Sequence, residues 1–250
     1  MTPFKDRLGG KPLMGLWQAL ANPYTAEICA GAGYDWMLFD GEHAPNTLQT
    51  LLAQLQAVAP YPVEPIARVP VGEPAIIKQY LDIGFHTLLV PMMESVEQAE
   101  HTVAATRFPP HGFRGVASST SRASGFGANT SYLGKAHESV TLIVQIESRA
   151  GLEAIDAIAA VAGVDALFIG PSDLAASLGH LGNPGHAEVQ QAVAHAKVRI
   201  DAAGKAAGIF ALSPDDARRR ISEGFSFISL GTDIGLLARG ASALLGSVRN

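Results

Sequence analysis

Cysteine is almost absent. Cys29 stands alone in 250 residues, so no intramolecular disulfide can form, and its thiol is expected on an apolar helix face. No apolar run reaches the length that crosses a bilayer. The opening stretch MTPFKDRLGG has charges but no apolar core of a signal peptide, and a cytoplasmic protein is expected. Charged residues are only 16% of the chain and the net charge is −5, which argues against nucleic acid and acidic membranes as partners. It leaves room for a small anionic substrate, which needs only a local cation. No linker, repeat or low-complexity tract divides the sequence, so residues 1–250 read as one domain.

What the chain has is apolar residues, at 48%, arranged in an alternation. Short runs apolar on both faces read as buried parallel strands: LMGLWQAL (13–20), DWMLFDG (35–41), EPIARVP (64–70), TLLVPM (87–92), TLIVQIES (141–148), DALFIGPSD (165–173), AAGIFAL (206–212) and FISLGTD (226–232). Helical patterns lie between them at 46–60, 73–85, 95–108, 151–161, 187–204 and 213–225, and a last one at 235–248. Asn46, Ser95 and Ser213 suit N-caps, while Gly84, Gly204 and Gly224 suit helix ends. Eight such units predict an α/β chain folded as a (β/α)8 TIM barrel. The competing open doubly wound sheet lacks a Gly-x-Gly-x-x-Gly after the first strand. A Gly/Ser-rich loop at 109–131 is expected on the same rim as the strand-to-helix loops.

Polar residues collect at the ends of the predicted strands. They are Trp17, then Asp40, Glu42 and His43, then Arg68, then Gln145 and Glu147, then Ser172 and Asp173. Polar groups in apolar strands cost several kcal/mol unless paired, and active sites of barrels lie at this rim. Each residue also has a plainer reading. Trp17 suits barrel core, Asp173 suits the N-cap of the next helix, and Asp233 is read as a cap. Glu147 and Asp173 end neighbouring strands, so they share a proton or hold a metal. Oxygen ligands without a Cys or a His pair favour a hard cation such as Mg2+ or Mn2+. Free N–H groups at Ser172 and Asp173 suit a substrate carboxylate. Arg68 suits a developing oxyanion. Asp40 and His43 read as a proton-transfer pair, with Glu42 behind them or as a partner for water at the metal. Together these describe enolisation of a 2-oxo acid.

The stretches GLW (15–17), AGAGYDWMLFDGEHAPN (30–46), IKQYLDIGFHTLLVPM (77–92), RFPPHGFRGV (107–116), VQIES (144–148) and GVDALFIGPSDLAASLG (163–179) run in order across nearly the whole chain. In them the sequence resembles the metal-dependent (class II) hydroxy-ketoacid aldolases of the 4-hydroxy-2-oxoheptanedioate and 2-dehydro-3-deoxyglucarate type, within the phosphoenolpyruvate/pyruvate barrel superfamily. The resemblance implies Glu147 and Asp173 as ligands of Mg2+, Mn2+ or Co2+, and Arg68 on the ketone or enolate oxygen. It implies His43 with Asp40 as the base dyad, Gln145 at substrate or water, and Ser172 and Asp173 on the carboxylate. It also implies a homohexamer, a trimer of dimers, with the eighth helix swapped between subunits and Asp82 reaching a neighbour's site. Phe210 replaces a smaller aliphatic and narrows the aldehyde pocket.

The expected activity is reversible addition of a pyruvate or hydroxypyruvate enolate to an aldehyde, giving a 4-hydroxy-2-oxo acid. Three alternatives stand beside it. A Schiff-base aldolase needs a strand-end lysine, and none of Lys5, Lys11, Lys78, Lys135, Lys197 and Lys205 ends a predicted strand. A citryl- or malyl-CoA type lyase would need a cleft for CoA phosphates. A non-catalytic small-acid-binding barrel would have no reason to keep the whole polar set.

Overall fold

Eight parallel strands close on themselves in sequence order in the computed structural model, which describes residues 2–249. They are β1 (Leu13–Gln18), β2 (Trp36–Asp40), β3 (Glu64–Arg68), β4 (Thr87–Val90), β5 (Thr141–Ile146), β6 (Ala166–Ile169), β7 (Ala206–Phe210) and β8 (Phe227–Thr232). This is the (β/α)8 barrel expected from the alternation. The strands are shorter than the apolar runs because their last residues, such as Glu147 and Ser172, lie in the loops and helices beyond the sheet.

Side-chain alternation divides two cores. Leu13, Trp17, Trp36, Leu38, Ile66, Leu89, Ile143, Phe168 and Phe227 fill the barrel. The alternate positions, such as Met37, Phe39, Ala67, Leu88, Val90, Leu142, Val144 and Leu167, pack outward under the helices. Gly15 must lack a side chain, since a Cβ there would fall 2.1 Å from the Trp36 ring. A short 3-10 helix, Phe4–Arg7, closes the N-terminal end with Phe4, whose ring stands edge-on to Phe227 at 5.8 Å.

Several boundaries differ from the expectations. Helix Pro23–Ala30, between the first two strands, has no counterpart among the predicted patterns, although Asn22 caps it and Pro23 opens it. Helix Leu48–Val58 is capped by Thr47 in a capping box, not by Asn46. The 151–161 pattern is two short helices, Arg149–Glu153 and Ile155–Ala160, meeting at Ala154. Ser95 and Ser213 do cap their helices.

The 109–131 loop needs a larger correction. It comes after helix Val96–Thr106, which has already carried the chain back to the N-terminal end. The loop therefore lies opposite the strand-to-helix rim. There Ser121 Oγ donates to the Asp82 carbonyl at 3.1 Å and Arg122 Nη1 to the Ile83 carbonyl at 3.1 Å.

The last helix, Asp233–Arg249, buries only Asp233. Ile234, Leu236, Leu237, Leu244, Leu245 and Val248 are exposed. Asp233 tethers its start, accepting from the N–H groups of Ala19 at 2.8 Å and Leu20 at 3.1 Å. No helix of the described residues is long and apolar enough to cross a membrane.

Candidate active site

The alternation that fills the barrel continues past its last apolar layer. Two residues beyond Leu38 comes Asp40, two beyond Ile66 comes Arg68, and two beyond Ile143 comes Gln145, with Glu147 two further on. The inward row thus turns from hydrocarbon to polar groups at the C-terminal end, and the barrel delivers them to one place.

Asp40 and Arg68 are register partners on β2 and β3. The Arg68 guanidinium forks onto Asp40, Nε to Oδ1 at 2.9 Å and Nη2 to Oδ2 at 2.6 Å, the strong bidentate geometry of this pair. Its Nη1 lies 2.9 Å from Glu42 Oε2. The guanidinium carbon also stands 5.1 Å from the Trp17 ring centroid, and Trp17 Nε1 donates to Asp40 Oδ2 at 3.2 Å. Burial pushes the Asp40 carboxyl up, but the Arg68 hydrogen bond and charge outweigh it and hold the group below its ordinary value.

The turn after β2 is built on the same carboxylate. Asp40 Oδ1 accepts from the N–H groups of Glu42 at 2.9 Å and His43 at 3.3 Å, and Asn46 Nδ2 donates to the Asp40 carbonyl at 2.8 Å. This changes the reading of the Asp40–His43 pair. Asp40 meets His43 through the backbone, and its oxygens serve Arg68, Trp17 and the turn. A buried arginine requires a forked partner, and an Asp opening a turn takes the N–H groups ahead of it. The His43 ring is exposed, and Glu42 Oε1 lies 4.0 Å from its Nε2. Burial raises the Glu42 carboxyl, Arg68 and His43 pull it down, and Asp40 and Asp173 push it up again, leaving it above its ordinary value.

Glu147 comes directly after β5 and is buried. Its Oε1 accepts from the Met92 N–H at 2.8 Å and its Oε2 from Gln145 Nε2. Met92 has a left-handed φ of 51°, a costly conformation for a residue with a side chain. Gly170 leaves the space the pair needs, since a Cβ there would sit 2.5 Å from Glu147 Oε2 and 2.7 Å from Gln145 Nε2. Burial pushes the Glu147 carboxyl up to about 7; the Met92 N–H opposes this, and Asp173 and Glu42 add to it.

Gly170 is also the N-cap of helix Pro171–Ser177 and offers no side-chain acceptor. The N–H groups of Ser172 and Asp173 therefore start that helix without a capping side chain. Asp173 lies in the first turn, not at the cap, and is exposed at the mouth.

A cavity of about 320 Å³ opens here. Of the residues singled out in the sequence, Trp17, Asp40, His43, Arg68, Gln145, Ser172, Asp173 and Phe210 line it. Phe210 forms a wall with Trp17, their centroids 5.5 Å apart. Glu147 and Glu42 stand beside this set through Gln145 and Arg68. Asp82 does not join it within the chain. It pairs with Arg114 at 2.6 Å beside the long loop at the opposite end. Sequence reasoning missed Met92, which acts through its backbone, and Gly170, whose signal was its place inside GPSD.

The donor set suits a hard divalent cation. Gln145 Oε1 is buried without a hydrogen-bond partner, and Glu147 shares its surroundings with the charges of Asp173 and Glu42. Oxygen-rich crowding of this kind is relieved by an ion with six or more oxygen ligands. Glu147 and Asp173 do not by themselves make a group of three carboxylate or imidazole ligands; among the described residues that geometry occurs only at His180, His186 and Glu188.

Residues 13–240 match the sequence profile of the family described as HpcH/HpaI aldolase/citrate lyase. The chain is 56% identical over 248 residues to a hydroxypyruvate/pyruvate aldolase of Deinococcus radiodurans, covering 99% of this chain and 90% of that one. It is 50% identical over 242 residues to a 4-hydroxy-2-oxo-heptane-1,7-dioate aldolase of Salmonella heidelberg, covering 96% and 92%. Its fold matches the crystal structure of an HpcH/HpaI aldolase/citrate lyase family protein from Burkholderia cenocepacia with a TM-score of 0.96 at 43% identity, over the whole of both chains.

Proposed function

The chain belongs to the HpcH/HpaI aldolase/citrate lyase family, and from that premise we propose that it is a divalent-metal-dependent aldolase, a carbon–carbon lyase. It joins the enolate of pyruvate or hydroxypyruvate to an aldehyde, giving a 4-hydroxy-2-oxo acid, and cleaves such acids in reverse. The names of its relatives support both donors. The observation that carries the reading is the buried Glu147, raised to about 7, beside the unpartnered Gln145 Oε1 and opposite the fixed cation Arg68.

Glu147 and Asp173 would hold Mg2+, Mn2+ or Co2+, with Gln145 contributing directly or through water. Bound there, the ion supplies Lewis acidity toward the ketone and carboxylate oxygens of the 2-oxo acid. The uncapped N–H groups of Ser172 and Asp173 receive the substrate carboxylate. Arg68 has spent Nε and one Nη2 hydrogen on Asp40 and one Nη1 hydrogen on Glu42, which leaves one hydrogen on each Nη for the substrate oxygen that becomes the enolate. Asp40 and Trp17 fix the plane of that guanidinium. His43, at the mouth, takes the proton from C3 directly or through water. Trp17 and Phe210 wall the space left for the aldehyde.

The active form is a homohexamer, a trimer of dimers, in the cytoplasm. The last helix supports assembly, because its exposed leucines have no cover on this barrel. Helices Pro23–Ala30 and Pro214–Ser222 flank the place where an eighth ring helix belongs, and they leave Tyr24, Ile28 and Ile221 exposed. A helix exchanged between subunits covers both surfaces. Assembly also gives Asp82, remote from the site of its own chain, a route to a neighbour's.

The test is to strip the protein with a chelator and follow pyruvate release from a 4-hydroxy-2-oxo acid, with and without Mg2+, Mn2+ or Co2+. Metal-restored cleavage that disappears in Glu147→Gln is the expected result. Full activity after metal removal would reject the mechanism. Cleavage of malyl-CoA in place of hydroxy-oxo acids would move the chain to the thioester lyases.

A further inference from the structure

The connection from helix Pro171–Ser177 to helix Ala187–Ala202 carries a side-chain cluster that the aldol reaction does not use. We propose that His180, His186 and Glu188 form a second divalent-metal site, selective for imidazole-preferring ions such as Zn2+, Ni2+ or Cu2+.

The three side chains offer ligand atoms that all lie within 4.8 Å of one another. His180 Nε2 is 2.7 Å from Glu188 Oε2. The imidazoles of His180 and His186 stack with centroids 3.6 Å apart and planes at 18°. Bonds of about 2 Å to one ion require ligand atoms roughly 3–3.5 Å apart, so a small contraction closes the site. A His180–Glu188 ion pair accounts for two members but gives no reason for the second ring. His186 does cap the helix after it, but its Nδ1 accepts the Glu188 N–H at a long 3.3 Å. A metal–nitrogen bond can replace that contact.

The backbone presents these ligands on a built turn. The His180 N–H donates to the Ala175 carbonyl at 2.7 Å, Asn183 to His180 at 2.9 Å and His186 to Asn183 at 3.0 Å. Gln190 Nε2 donates to the Pro184 carbonyl at 2.7 Å. Three protein ligands and one water complete a tetrahedron. The two sites on this chain would then sort metals by ligand softness. The Glu147 site offers oxygen and suits hard ions, while the His180 site offers two nitrogens and suits borderline ones. An ion at His180 would also tie down the connection that leads directly from the helix bearing Asp173.

Isothermal titration of the chelator-stripped, full-length Glu147→Gln protein with Zn2+ tests this without relying on the aldolase reading. The expected result is one Zn2+ per chain, with binding at least about tenfold weaker when His180→Ala and His186→Ala are added, and no comparable Mg2+ binding. Glu188→Gln, which disturbs the stacked rings least, should also weaken Zn2+, and circular dichroism checks that each variant is folded. Unchanged Zn2+ binding in these variants, or none in Glu147→Gln alone, overturns the proposal. The Glu147 reading fails separately, if wild-type protein binds Mg2+ or Mn2+ no better than Glu147→Gln does.

Discussion

Strand β3 begins with Glu64 at one end of the barrel and finishes with Arg68 at the other, and the two ends treat buried charge differently. At the N-terminal end, Glu64 accepts from Thr87 Oγ1 at 2.6 Å and has Arg7 at 3.8 Å. Phe4 is buried at this end of the barrel, and Glu64 has both a hydroxyl and a cation of the chain beside it. At the C-terminal end, Asp40, Glu42, Glu147 and Asp173 surround Arg68 and the exposed His43, and Gln145 keeps an unpartnered oxygen. Burial raises both Glu64 and Glu147 above the ordinary carboxylate value. Only Glu147 has neighbouring carboxylates pushing further. Glu64 is satisfied within the chain, whereas the group around Glu147 leaves acceptors for a ligand to complete.

The sharpest way to break this contrast is to neutralise each glutamate in turn. Glu147→Gln should lower kcat for metal-dependent cleavage by about a thousandfold or more. Glu64→Gln should leave kcat within about threefold and cost about 1 kcal/mol of stability through the Thr87 bond. Steady-state kinetics and denaturant unfolding separate the two. Arg68→Lys keeps a charge but loses the fork onto Asp40, and a loss of about a hundredfold in kcat/KM is expected.

The pH dependence of stability sharpens the comparison. Between about 4.5 and about 7, folded Glu147 keeps a proton that the unfolded chain has released, so chelator-stripped protein should lose stability as pH rises through that window. The loss attributable to Glu147 is about 3 kcal/mol at most. Glu64 acts in the same direction, so Glu147→Gln should flatten most of the slope and leave a remainder. Saturating Mg2+ at a pH of about 8 should recover the stability in wild type alone, as read by thermal unfolding.

Smaller effects are expected at the walls. Gly170→Ala pushes a methyl into Glu147 and Gln145, and about tenfold should be lost in kcat, together with about 1–3 kcal/mol of stability read by denaturant unfolding. Phe210→Leu should change KM for the aldehyde by a few-fold and leave the donor's KM alone. A shift in the donor's KM would place Phe210 on the other side of the cavity.

The barrel was legible because parallel strands under helices are apolar on both faces, and because β2 and β5 read as unbroken buried runs. The polar cluster of the candidate site is legible at Asp40, Arg68, Gln145 and Glu147 because each interrupts such a run at one end. The long loop was misplaced because its sequence shows that it is irregular but not which end it occupies; the preceding helix decides that. The Asp40–His43 dyad is read from nearness in sequence, and in this structure Asp40 meets His43 through the backbone N–H. The oxygens of Asp40 are claimed by Arg68, 28 residues away, and that claim emerges only once β2 and β3 are in register. Met92 could not be read at all, since its contribution is an N–H that every residue except proline possesses.

The two tryptophans of the chain lie on opposite sides of the boundary between hydrocarbon and polar site. Trp36 is enclosed in the barrel, its Nε1 donating to the Leu13 carbonyl at 3.1 Å. Trp17 lines the cavity beneath Arg68 and hydrogen-bonds to Asp40. The protein therefore carries its own optical reporter and its own internal standard: if the proposed function holds, a 2-oxo acid entering the cavity is expected to change the emission of Trp17 while that of Trp36 stays constant, so that occupancy can be followed by light in the unmodified protein.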